Sequence, residues 1–122
     1  MQRLRIVLPL PSPHLSPNAR VHWGVKSRAV KAYRALAAWN ASQQWSDQQP
    51  PMAEADIVAT FRFKDRRRRD RDNLLAMLKA AFDGIADAGV VEDDSSFRHE
   101  VRIGETTTDP HVVIEVIERM PA

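Results

Sequence analysis

Ile57-Val58-Ala59-Thr60-Phe61-Arg62-Phe63, then Lys64-Asp65-Arg66-Arg67-Arg68-Arg69-Asp70-Arg71-Asp72, then Asn73 to Gly89 (NLLAMLKAAFDGIADAG), is the stretch that decides the fold. Its first part alternates: Ile57, Ala59, Phe61 and Phe63 share a face, so it reads as a strand. Its last part is helical, with Leu74, Met77, Leu78, Ala81, Ile85 and Ala88 on one stripe and Gly89 as the stop. Between them lies a block that belongs to no core. From Arg62 to Asp72 it holds seven basic residues and three aspartates. A strand, a charged loop and an amphipathic helix make half of a crossover unit.

Working outward, Phe97 to Ile103 alternates again, with Phe97, His99, Val101 and Ile103 on one side. His99 is expected as a packed histidine on that apolar face. His111 to Ile117 is apolar on both sides, at Val112, Val113, Ile114, Val116 and Ile117, which predicts an interior strand. Toward the start, Leu4, Ile6 and Leu8 mark a first strand over Arg3–Leu8. Pro9 to Pro17 is an irregular proline-rich loop. Ser27 can cap a helix running to about Trp45, with Val30, Tyr33, Ala37 and Ala41 on its stripe.

The order is therefore β-α-β-α-β-β, with the last two strands drawn as a hairpin. The expected class is α/β (α+β): one small domain over residues 1–122, a mixed sheet with two helices against it.

With 122 residues, 43% of them hydrophobic, the chain can bury one core without staples, and it has no cysteine to make one. No stretch has the length or hydropathy of a membrane span or a signal segment, so a cytoplasmic location is expected. Net charge is only +2, so charge placement matters more than its total. With four glycines and no phosphate-cradling loop, no nucleotide cofactor is expected. No His/Cys spacing resembles a zinc site.

Three aspartates can carry chemistry. Asp70 and Asp72 flank Arg71 where strand gives way to helix, and Asp94 stands in the turn before the third strand. Magnesium is a hard cation that binds a few carboxylates while keeping waters and a phosphate, so a trio of this kind suits it. A strand-helix-strand unit brings Asp94 back beside the starting strand, but at its opposite end unless the connection bends. Each acid also has an ordinary structural role: Asp70 or Asp72 as a helix cap, Asp93-Asp94 as turn residues. Arg66, Arg67, Arg68 and Arg69 can fork onto phosphates, or simply form a solvated charged loop. On an ideal helix Lys79 lies in line with Asp72 and Asp83. It can therefore serve the reaction or pair with Asp83 four residues on.

Asp65 to Leu74, then Lys79-Ala80-Ala81-Phe82-Asp83, then Glu92-Asp93-Asp94, resemble the core of the RusA-type Holliday junction resolvases, a family of phages and prophages. Pro11-Ser12-Pro13 to Asn18 also resembles the family's proline-rich loop. The resemblance covers most of the chain. It implies a homodimeric endonuclease that nicks four-way DNA junctions symmetrically in recombination and repair. It implies that Asp70, Asp72 and Asp94 hold Mg2+, for which Mn2+ can substitute. The family's important lysine falls at Ala76 in this chain, and Lys79, one turn on, is the candidate to replace it. Arg71, Lys26 and Lys31 join the arginine run as expected DNA contacts. Trp39, Trp45 and the first strand are candidates for the dimer interface. Two rival functions are a non-catalytic binder of branched DNA and a metal-dependent nucleotide phosphohydrolase.

Overall fold

A computed structural model of the chain describes residues 1–92, 95 and 97–119. Its elements are β1 (Arg3–Pro9), a 3-10 turn (Pro13–Leu15), α1 (Trp23–Ser42), β2 (Ala55–Arg62), α2 (Arg71–Met77), α3 (Lys79–Asp87), β3 (Phe97–Ile103) and β4 (His111–Glu118). The four strands form one mixed sheet in the order β1-β4-β2-β3. β4 runs antiparallel to both β1 and β2, and β3 runs parallel to β2.

Register explains the core. Ile6 stands opposite Ile114, Ile114 opposite Ala59, and Ala59 opposite Val101, which makes one row across all four strands. The next row along is Leu8, Val112, Phe61 and Ile103. Because strand side chains alternate, these rows share a face. Its members are buried down to Ile103, which is 41% exposed at the sheet's edge. α1 and α3 pack side by side, α1 also meets β1, and α2 lies against β3.

The expected hairpin does not form. β4 enters between β1 and β2, so both its edges are paired, and Val112, Val113, Ile114 and Val116 are buried. The interior place read from that sequence is correct; the pairing partner was not. The connection from Ile103 to His111 must then step over the end of β2. Arg62 secures this step, donating from Nε to Glu105 O at 3.0 Å and from Nη2 to Thr106 O at 3.3 Å. Thr107 N–H donates to Phe63 O at 2.9 Å.

Two helix boundaries also differ from the sequence reading. α1 begins at Trp23 rather than after Ser27, because the His22 ring acts as the cap, its Nδ1 accepting from Gly24 N–H at 3.1 Å. It ends at Ser42, and Trp45 folds into the core at 4% exposure, which removes it from any interface. The second helix is two helices: Leu78, with φ −91° and ψ −2°, breaks the α ladder between Met77 and Lys79. Gly89 does terminate α3, with φ +83°, a backbone position that favours glycine.

Gly84 sets the distance between α1 and α3. A Cβ there would run into the carbonyl oxygen of Arg34 and stand 3.0 Å from Ala38 N. Nearby, the Arg34 guanidinium grips Asp87 with two bonds of 2.6 and 2.8 Å and holds its carboxyl below the ordinary range. Gly84→Ala is expected to lose about 1–3 kcal/mol by overpacking. The better helix propensity of alanine, worth about 1 kcal/mol, offsets only part of that. A thermal melt measures the result; an unchanged or raised midpoint would show that the helices separate freely.

No helix among the described residues is long and apolar enough to cross a membrane.

Candidate active site and nucleic-acid interface

The arginine block is an ordered loop, and Asp65 orders it. Asp65 Oδ1 accepts from Arg67 N–H at 3.0 Å, a short side-chain turn. The same oxygen accepts from Arg69 Nη2 at 2.9 Å. Arg69 Nη1 also donates to Asp65 O at 3.2 Å and to Arg67 O at 2.7 Å. Its guanidinium lies 3.7 Å from the centroid of the Phe63 ring, a cation–π contact that covers the end of β2. These donors pull the Asp65 carboxyl below its ordinary value, the Arg67 N–H most and the Arg69 side chain next.

The arginines therefore divide. Arg69 is a scaffold residue with its side chain 16% exposed. Arg67 reaches Asp65 at 3.7 Å while staying largely in solvent. Arg66, Arg68 and Arg71 are exposed, and among the described residues no hydrogen bond or ion pair holds their side chains. Neighbours in an extended segment alternate sides, and Arg69 is the one committed to the loop itself. Together the loop and the β3–β4 connection wall an open cleft of about 620 Å³, lined by Arg66 to Arg69, Arg71, Ile103 and Thr106.

Asp70 and Asp72 stand at the end of this loop. Asp70 caps α2: its Oδ1 accepts from Asp72 N–H at 2.9 Å and Asn73 N–H at 3.4 Å. Asp72 sits in the first turn of α2, exposed. Neither carboxylate is in an ion pair among the described residues. Asp65 takes Arg69 and, more loosely, Arg67, so among the described residues Asp70 and Asp72 stand without an ion pair beside a run of cations. Asp94 lies outside the described residues, and no third ligand joins Asp70 and Asp72 among those described. The helix they begin does pack on β3, the strand that follows Asp94.

The proline-rich loop is tied to the same place. Ser16 Oγ bonds Asn73 Oδ1 at 3.0 Å, one residue past Asp72. This contact had no sequence signal of its own; two polar side chains 57 positions apart meet only through the fold.

Lys79 opens α3 and bonds Asp83 Oδ1 at 3.0 Å through Nζ. Leu78 separates α2 from α3, so Asp72 and Lys79 belong to different helices. Lys79 shares a groove of about 250 Å³ with Lys26, Ala76, Met77 and Asp83. Ala76 and Lys79 thus line the same space, although they belong to different helices. Lys31 is exposed on α1.

His99 is less buried than the sequence suggested. Its ring stacks on Phe82 at 4.9 Å, and the residue is exposed. Burial against Phe82 and, second, the charge of Lys79 lower its pKa below the ordinary 6.5. A histidine depressed in the folded state stabilises the fold above the unfolded pKa and loses that contribution as pH falls below it. Wild-type protein should lose more stability to urea between about pH 7.5 and 5.5 than His99→Gln does. Equal losses would show that His99 titrates as it does in the unfolded chain.

A family model described as Endodeoxyribonuclease RusA matches residues 10–117. The chain is also similar to an uncharacterized protein of Xylella fastidiosa strain Temecula1, 38% identical over 117 residues, which cover 94% of this chain and 76% of that protein.

Proposed function

Since the chain belongs to the RusA endodeoxyribonuclease family, we propose that it is a magnesium-dependent nuclease that resolves four-way DNA junctions by paired nicks, in the cytoplasm, during recombination and repair. The observation that carries this reading is the charge layout of the loop. Arg67 and Arg69 are drawn to Asp65, Arg66, Arg68 and Arg71 are exposed, and among the described residues Asp70 and Asp72 are in no ion pair. A site of this kind attracts a phosphate backbone and a divalent cation together.

Asp70, Asp72 and Asp94 would hold the Mg2+, or Mn2+ in its place. The two described donors fit: both are hard oxygen ligands, exposed, and in no ion pair among the described residues. Bound there, the metal would polarise the scissile phosphodiester and lower the pKa of a water. The chain's own residues do the rest. Arg66, Arg68 and Arg71 bind phosphates and fix the strand's position. Arg69 and Asp65 keep the loop in its shape while DNA is bound, so little ordering cost falls on binding. Asp70 Oδ1 anchors the start of α2 and so orients the carboxylates relative to the loop. Lys26 and Lys79 line the neighbouring groove, and Lys79 is our candidate to meet charge that develops on the phosphate.

Paired nicks need paired sites, so the active species is a homodimer. Trp39 on α1, 62% exposed, supports a contact there. Trp39→Glu should convert the dimer to a monomer in sedimentation; a wild-type protein that sediments as a monomer and still makes paired nicks would end this part of the reading. The function itself is tested with a synthetic four-way junction, with and without Mg2+, beside a linear duplex of the same sequence. Symmetric metal-dependent nicks confined to the junction are expected. Junction binding with no cleavage in either metal would make the protein a non-catalytic binder. Hydrolysis of nucleotides with no attack on the junction would make it a phosphohydrolase.

A further inference from the structure

Trp23, the first residue of α1, is 77% exposed, although a large aromatic side chain is usually well covered. Its surroundings are held in place rather than loose. The His22 ring lies 5.8 Å from the indole at 31°, and that ring is itself fixed by its bond to Gly24 N–H. The chain around it has an unusual charge pattern. From Met1 to Ser46 there are seven Lys and Arg residues and not one Asp or Glu. Arg20, Lys26 and Arg28 stand within five residues of Trp23. Lys26, one turn along the same side of the helix, lines the groove that also holds Lys79. The proline-rich loop leading to Trp23 is bonded to Asn73, next to Asp72. An exposed indole beside a hydrogen-bonded histidine ring, with cations and no acid near it in sequence, matches a polyanion that offers unstacked aromatic rings. Duplex DNA hides its base faces; a branch point exposes them.

We propose that Trp23 stacks on an unpaired or unstacked base at the branch point, while Arg20, Lys26 and Arg28 contact the flanking phosphates. This rests on the branched-DNA reading above and adds to it a residue that distinguishes a junction from a plain duplex. Stacking on an indole is tolerant of base identity, since every base has a π face. Trp23 therefore contributes structure selectivity rather than sequence preference.

The test compares wild type, Trp23→Phe and Trp23→Ala on a four-way junction and on linear duplex, in a metal-free buffer where binding occurs without cleavage. The junction carries 2-aminopurine at the crossover, whose emission reports stacking directly. Trp23→Ala should weaken junction binding about 5- to 150-fold, the loss of one base–aromatic stack, and should remove the emission change. Its duplex affinity and salt dependence should stay as in wild type, and Trp23→Phe should retain most of the junction preference. If wild type discriminates junction from duplex and Trp23→Ala discriminates equally well, the stacking role is overturned and the branched-DNA reading stands. If Trp23→Ala changes the oligomeric state instead, the indole is covered by a protein surface and the proposal fails. If wild type itself shows no junction preference, both fall together.

Discussion

Asp70→Asn and Asp72→Asn are each expected to abolish metal-dependent cleavage and to leave junction binding intact or tighter. Removing groups that merely orient a metal ligand lowers activity or affinity about 10- to 100-fold, so losing a ligand should exceed that range. Binding survives because the phosphate contacts lie elsewhere, at Arg66, Arg68 and Arg71, and one negative charge fewer favours a polyanion. Asp70 has two roles, and the substitutions separate them. Its Oδ1 caps α2, and asparagine caps a helix as well as aspartate does. Asp70→Asn should therefore melt close to wild type, while Asp70→Ala should lose about 1 kcal/mol from the cap as well as the activity. Cleavage at wild-type rates by both asparagine variants would remove these carboxylates from the reaction.

The sheet was legible where each strand has one wet face. The alternation of Leu4, Ile6 and Leu8, and of Ile57, Ala59 and Phe61, gives strand and orientation together. β4 gave its interior position through apolar residues on both faces. It could not give its neighbours, because nothing in Val112 to Ile117 distinguishes β3 from β1 and β2 as partners. That choice is made by the connection over β2 and by Arg62 holding it. The break at Leu78 carries no proline or glycine, so a continuous apolar stripe looked like one helix. α1 starts early because a histidine ring can accept a hydrogen bond as a cap, and histidine is not among the residues that advertise one. In the site, the spacing of Asp65, Arg67 and Arg69, two apart, did hold the loop's architecture in plain view. It reads as a pattern only once Asp65 is recognised as the acceptor at its centre. The acids and the arginines could be read from the sequence as candidates because their chemistry is local. The groove joining Lys26, Ala76 and Lys79 was not, because it brings together α1, α2 and α3.

The division among the arginines leads to the second large effect. Arg66→Ala/Arg68→Ala is expected to flatten the dependence of log affinity on log salt by up to about 1.8, since each phosphate contact on duplex-like arms contributes about 0.9. At about 0.1 M salt, two such contacts correspond to roughly 60-fold in affinity, and the loss should be equal across sequences because phosphates carry no sequence information. The same pair of substitutions should leave the melting temperature nearly unchanged, because both side chains are exposed and, among the described residues, neither is in a hydrogen bond or ion pair. Arg69→Ala should behave in the opposite way. It uncovers the Phe63 ring and removes three hydrogen bonds that shape the loop. Stability should fall, and the salt slope should change by less than one contact. Arg67→Ala lies between the two, as its backbone N–H keeps the turn at Asp65 whatever the side chain. Binding titrations at four or five salt concentrations, together with thermal melts, separate these outcomes. An unchanged salt slope in the Arg66/Arg68 variant would make the outward arginines a solvated surface. A slope lost in Arg69→Ala, with stability kept, would mean that Arg69 leaves Asp65 to meet the DNA and that the loop is remade on binding.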